Sequence, residues 1–141
     1  MLKTGLLHPE ILRALAAAGH GVRVLVADGN YPVSTESPPS AEKVFLNLRR
    51  GLVGTVDVLD ALAQCIPIES AIVMEDPDSQ TVPLHERYRQ MLPAIVSLTG
   101  LKRIEFYQEA KSAATTLVIA TAEEERFANI LLTIGVSKSS H

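Results

Sequence analysis

The chain has 141 residues, 47% hydrophobic and 21% charged, enough to bury one core without disulfide or metal staples and too few for a second full domain. Thirteen Lys and Arg stand against sixteen Asp and Glu, a formal net charge of −3 with both signs scattered. No basic stripe exists to track a phosphate backbone, so nucleic acid is not an expected partner. No apolar stretch approaches the roughly 18 to 20 residues that cross a bilayer, and the expectation is a soluble globule with no membrane partner.

Pro9 stands where a first helical turn tolerates proline, and Ile11, Leu12, Leu15 and Ala16 recur at helical spacing up to Gly19. His8, just before Pro9, reads as a capping residue. Because Pro9, Glu10 and Arg13 interrupt its apolar part, this segment reads as a helix rather than a signal peptide, and the protein as cytoplasmic. VRVLVA (22–27) is a buried strand that ends in Asp28 and Gly29, where a turn is needed. Residues 29–41 collect three Pro and three Ser beside Gly29, which predicts a surface loop of the length that lines sites.

KVFLNL (43–48) reads as a strand, and Thr55 as the cap of a helix carrying Val56, Val58, Leu59, Leu62 and Ala63. The single cysteine, Cys65, excludes an internal disulfide, and its setting in LAQCIPI predicts a buried thiol. SAIVMED, from Ser70, is the next strand. PLHERYRQMLPAIVSL, from Pro83, has helical spacing that Pro93 should kink or divide. EFYQEAKSAA, from Glu105, is a helix candidate, and 115–121 and 129–136 are strands. Strands alternating with helices predict an α/β fold around a mostly parallel sheet. The expected organisation is one domain over 1–136 and a disordered tail over 137–141.

In Gly19-His20-Gly21 an imidazole flanked by glycines has little side-chain cover and can reach a ligand, and its ordinary pKa suits proton transfer. The plainer reading is a capping histidine. Asp28 ends a strand, and ligands of open α/β sheets bind outside the carboxyl ends of strands; its plainer reading is a turn former. His85 reads as part of a solvated helical face, His141 is terminal, and Glu123 to Arg126 read as a solvated charged turn. No His, Cys or acid spacing suits a metal, and no G-x-S-x-G, P-loop or G-x-G-x-x-G occurs.

LLHPEILRALAAAGHGVRVLVADGNYP (6–32), with its His20 to Asp28 spacing, resembles the opening of the D-ribose pyranase and L-fucose mutarotase family. RIEFYQEA (103–110) and TAEEERFANILLTIGV (121–136) extend the resemblance in order along nearly the whole chain. It implies a cytoplasmic α/β isomerase that interconverts cyclic forms of a monosaccharide. It also implies a ring-like homo-oligomer, often a decamer, with sites near subunit contacts and neither a metal nor an organic cofactor. Carried over, His20 is the proton donor, Asp28 a sugar-binding acid, Arg103 the basic residue of the fucose branch, and Asn129 a site ligand; Phe127 and Ala128 complete that strip.

The chain departs from the pattern where the family's tyrosine is Phe127, which lacks the hydroxyl. Val22 stands where the family usually has an acid, and the Arg-Ala-Asp-Gly run of the fucose branch is missing between Pro32 and Gly54. Tyr31 and Tyr107 are the hydroxyls that could compensate, each with a plainer reading as a packing aromatic. The missing tyrosine hydroxyl leaves a second reading, a non-catalytic sugar-binding module linked to sugar uptake or its regulation, and the apolar content and expected oligomer leave a third, an assembly protein without a ligand. Arg103, with Arg49 and Arg50 if their loop approaches, also permits an anionic ligand, although Arg49 and Arg50 read first as solvated surface charge.

Overall fold

The apolar positions of the first helix recur so that Ile11 is buried, and the His8 side chain accepts a hydrogen bond from the Ile11 N–H, capping the helix as expected. In the computed structural model, which describes residues 1–78 and 80–138, this helix, α1 (Pro9–Ala17), is followed by β1 (Arg23–Ala27), β2 (Glu42–Phe45), α2 (Thr55–Ala63) and β3 (Ile68–Met74). Then come α3 (Pro83–Met91), β4 (Ser97–Leu101), α4 (Arg103–Ala110), β5 (Thr115–Ala120) and β6 (Ile130–Ile134). Residues 139–141 of the expected tail lie outside the described residues.

The six strands form one sheet in the order β2-β5-β1-β6-β3-β4. β2 and β1 pair with β5 in parallel, and β3 pairs with β4 in parallel. β6 runs antiparallel between β1 and β3. The expected α/β fold with a mostly parallel sheet is the one observed.

Alternation along each strand divides the core in two. Val24 and Val26 of β1 join Leu117 and Ile119 of β5 and Ile130 and Leu132 of β6 against α1, α2 and α3. Leu25, Ala27, Val118 and Leu131 face the other way, onto Phe106 and Ala110 of α4 and onto Tyr31 and Val33. Segment 29–41 is therefore not simply a surface loop. Its Tyr31 and Ser37 turn inward and close it on itself, Tyr31 Oη donating to the Glu36 carbonyl (2.8 Å) and Ser37 Oγ to the Val33 carbonyl (2.6 Å).

Three local expectations change. The Pro83 helix ends at Met91, and the chain beyond Pro93 forms strand β4 instead of more helix; proline lacks the N–H for another turn, and the run then pairs with β3. Thr55 is the first helical residue rather than the cap, which is Gly54 without a side-chain bond. Cys65 is exposed on the turn leaving α2, because the helix has ended there and its apolar face no longer meets the sheet.

Candidate functional site

Because β6 is antiparallel, its amino end lies beside the carboxyl ends of β1 and β3, and one edge of the sheet collects residues far apart in sequence. Asp28 follows β1, Met74 closes β3, Arg103 opens α4 after β4, and Phe127 and Asn129 lead into β6. Asp28, Asn30, Tyr31, Met74, Arg103, Tyr107, Arg126, Phe127 and Asn129 line a cleft of about 360 Å³. The structure thus brings together Asp28, Arg103, Phe127 and Asn129 of the expected set.

Asp28 is only 5% exposed. Its backbone N–H donates to Asn129 Oδ1 (2.7 Å) and its Oδ1 accepts from the Asn30 N–H (3.0 Å). Burial pushes its pKa up, opposed by the backbone N–H groups of Asn30, Ala128 and Tyr31, which favour the carboxylate. The adjoining Gly29 donates to the Glu123 carbonyl (2.9 Å), and a Cβ there would stand 3.0 Å from that oxygen, tight enough that the backbone around Glu123 would have to give.

Ala128 does not line the cleft; it is wholly buried, and its carbonyl accepts from Tyr88 Oη (2.6 Å). His20 lies at the opposite edge of the sheet, before β1, where Gly21 N–H bonds the Ile134 carbonyl at the end of β6. The length of β1, about 16 Å at strand rise, separates it from Asp28. There the exposed His20 imidazole meets Glu69, with Nε2 2.8 Å from Oε1. One protomer therefore does not unite His20 with the cleft, and Asp28 does not orient its ring.

Sequence reasoning missed the residues that hold the cleft's floor. On α3, His85 Nε2 lies 2.7 Å from the Phe127 carbonyl; a carbonyl only accepts, so Nε2 carries the hydrogen. One turn on, the wholly buried Tyr88 bridges the Ala128 carbonyl and Thr55 Oγ1, both at 2.6 Å. The two side chains grip consecutive carbonyls of the strip in which Phe127 holds a left-handed φ of +60°, a conformation costly for a bulky residue. Burial lowers the His85 pKa, opposed by its bond to Phe127 and by Glu75. His85 is thus no part of a solvated face. The i, i+3 spacing of His85 and Tyr88 was the available signal.

Glu123 is likewise not a solvated turn residue. Its Oε1 accepts from the N–H and Oγ1 of Thr55 (both 3.1 Å), supplying from outside the helix the cap that α2 lacks. Glu124, Glu125 and Arg126 are exposed as expected. Arg126 lies over the Phe127 ring, 5.1 Å from its centroid. Arg49 and Arg50 line a separate cleft of about 520 Å³ with Asn47 and Glu123, which meets the first at Asn30. Among the described residues no group of His, Cys, Asp and Glu has the arrangement of a metal site, and no helix is long and apolar enough to cross a membrane.

A cleft at the carboxyl ends of a mostly parallel sheet, with one buried acid and convergent polar side chains, is the place and composition at which α/β proteins bind small molecules. The family described as the RbsD / FucU transport protein family matches residues 1–137. The D-ribose pyranase of Geobacillus kaustophilus is 31% identical over 140 residues, covering 99% of this chain and 98% of that protein. The human fucose mutarotase is 31% identical over 144 residues, covering 93% and 90%. The structure of Bacillus subtilis RbsD complexed with D-ribose superposes with a TM-score of 0.85 at 25% identity, covering 98% of this chain and all of that one. The chain belongs to the RbsD / FucU family, the ribose pyranase and fucose mutarotase family that its motifs resemble.

Proposed function

We propose that the protein is a monosaccharide mutarotase or pyranase, an isomerase that interconverts cyclic forms of an unphosphorylated sugar, either anomers or pyranose and furanose. The observation that carries this reading is the convergence of Asp28, Arg103 and Asn129 on one cleft, in a chain whose full-length relatives are named as ribose pyranase and fucose mutarotase. Asp28 accepts hydrogen bonds from sugar hydroxyls, Arg103 and the Asn129 amide donate them, and Phe127 forms the wall, with the buried Ala128 behind it rather than in it.

Ring opening of a cyclic hemiacetal breaks the bond between the anomeric carbon and the ring oxygen. A proton is delivered to that oxygen while the anomeric hydroxyl loses one and becomes the carbonyl; closure on the other face, or through another hydroxyl, reverses both transfers. His20 is the acid that delivers the first proton and, once neutral, the base that takes up the proton leaving the anomeric hydroxyl. Its Nε2–H faces the Glu69 carboxylate, leaving Nδ1 to exchange protons with the sugar. A positioned imidazole contributes about 10² to 10⁴-fold, and the chemistry calls for no metal or organic cofactor.

Since His20 and Asp28 lie at opposite edges of the sheet, a complete site needs the histidine of a second copy. The family resemblance implies that the copies assemble as a cytoplasmic ring-shaped homo-oligomer, often a decamer, with sites at subunit contacts. A second reading, a non-catalytic sugar-binding module linked to sugar uptake or its regulation, is favoured by Phe127, whose ring brings no hydroxyl to the cleft.

Saturation transfer between the anomeric protons of ribose, fucose, galactose, glucose and rhamnose tests the proposal. Wild type should speed exchange of at least one sugar and His20→Ala should abolish that effect. Exchange unaltered by wild type, or equal in the variant, would overturn it; binding without exchange would select the second reading. Mixing His20→Ala with Asp28→Ala subunits should restore part of the activity, because some contacts then pair an intact histidine with an intact cleft. Light scattering should report a multiple of the protomer mass.

A further inference from the structure

The three tyrosines of the chain differ in what their hydroxyls do. Tyr88 Oη is buried between Thr55 and the Ala128 carbonyl, and Tyr31 Oη is engaged by the Glu36 carbonyl. Tyr107 is half-buried and lines the cleft with Asp28, Arg103 and Asn129. Among the described residues its hydroxyl has no hydrogen-bond partner.

Its placement is set by α4. Phe106 and Ala110 turn into the core, which rotates the adjoining Tyr107 toward the cleft. Arg103 lies four residues earlier and therefore on the same helix face. The Tyr107 ring is fixed edge-on against Tyr31, at 5.5 Å and 84° between planes. The phenol is thus held by packing of its ring alone, with its oxygen left over.

The other polar groups of the cleft have narrower capacities. Arg103 and Arg126 donate only, and the Asn129 carbonyl oxygen is already engaged by the Asp28 N–H. A phenol both donates and accepts, the combination a ring oxygen and its neighbouring hydroxyls require. Burial raises the Tyr107 pKa, opposed by Arg103, so at neutral pH the hydroxyl keeps its proton and donates it.

The geometry points to Tyr107 as a further substrate-binding residue, its hydroxyl donating to an oxygen of the bound monosaccharide beside Arg103. The assignment rests on the proposed sugar isomerase reading. Tyr107→Phe keeps the ring and its packing and removes only the oxygen, so the melting temperature should stay at the wild-type value while sugar affinity falls about three- to tenfold, the worth of one neutral hydrogen bond.

The experiment is anomeric exchange and calorimetric titration of wild type and Tyr107→Phe with the same five sugars, alongside NMR of ring-labelled tyrosine. On titration the Tyr107 ring signals should shift in wild type, and KM should rise in the variant. Unchanged KM and affinity in Tyr107→Phe, or Tyr107 signals that stay still while sugar binds, would overturn the assignment and leave the isomerase reading standing. Wild type that binds none of the five would overturn both.

Discussion

Tyr88→Phe isolates the contact through which α3 holds the floor of the cleft. The ring stays in place, so no cavity opens beyond one oxygen, and two bonds of 2.6 Å disappear. Thr55 Oγ1, which donates to Tyr88 Oη while that hydroxyl donates to Ala128, turns its hydrogen to Glu123, but the Ala128 carbonyl, in a residue with no exposed surface, is left unpaired. One lost hydrogen bond at about 1 kcal/mol and one orphaned buried carbonyl at about 1–2 kcal/mol sum to roughly 2–3 kcal/mol. For a chain of this length that lowers the melting temperature by about 7–10 °C. Circular dichroism melts at matched protein concentration measure it, since assembly makes the midpoint depend on concentration. A cycle with Thr55→Val should show coupling of about 1 kcal/mol, because the hydroxyls touch. The left-handed Phe127 should relax at the same time and weaken sugar binding. A melting point within about 2 °C of wild type, or strictly additive substitutions, would refute the bridge.

Two further outcomes concern buried titrating groups. The His85 pKa is lowered in the native state, so as pH falls below about 6.5 the unfolded chain takes up the proton first and stability drops. His85→Gln preserves a donor to the Phe127 carbonyl and should flatten that fall in urea midpoints measured from pH 8 to pH 5; an unchanged slope would contradict the assignment. The Asp28 pKa is raised, so the native state takes up its proton before the unfolded chain does, and at neutral pH it carries the whole cost of a buried charge. Asp28→Asn should therefore be at least as stable as wild type at pH 7. It should bind sugar about tenfold or more weakly, the worth of a charged hydrogen bond, as titration calorimetry would show.

The strands were legible because β-branched runs such as RVLVA and TTLVIA have one simple periodicity, and the resemblance over 6–32 and 103–136 carried the family. The segment after Pro93 was not. IVSL has the composition of either a helix or a strand, and only pairing with β3 decides between them. Cys65 shows the limit of reading burial from neighbours: apolar flanks predict a core position, but the turn after α2 faces outward. Asp28, Arg103, Phe127 and Asn129 were found from motifs, whereas His85, Tyr88 and Glu123 act through backbone groups some 40 to 70 residues away, contacts that leave no local pattern.

By itself the sequence determined the α/β class, the helix and strand identities set by periodicity, and the residue types able to handle a hydroxylated ligand. Those are local properties, written in spacing and in the chemistry of single side chains. Tertiary structure alone decided which of these residues meet. Inserting β6 antiparallel between β1 and β3 sets Asn129 beside Asp28 while leaving His20 at the far edge, a strand's length away. Strand order and direction depend on which edges pair, and that is settled by the whole core at once.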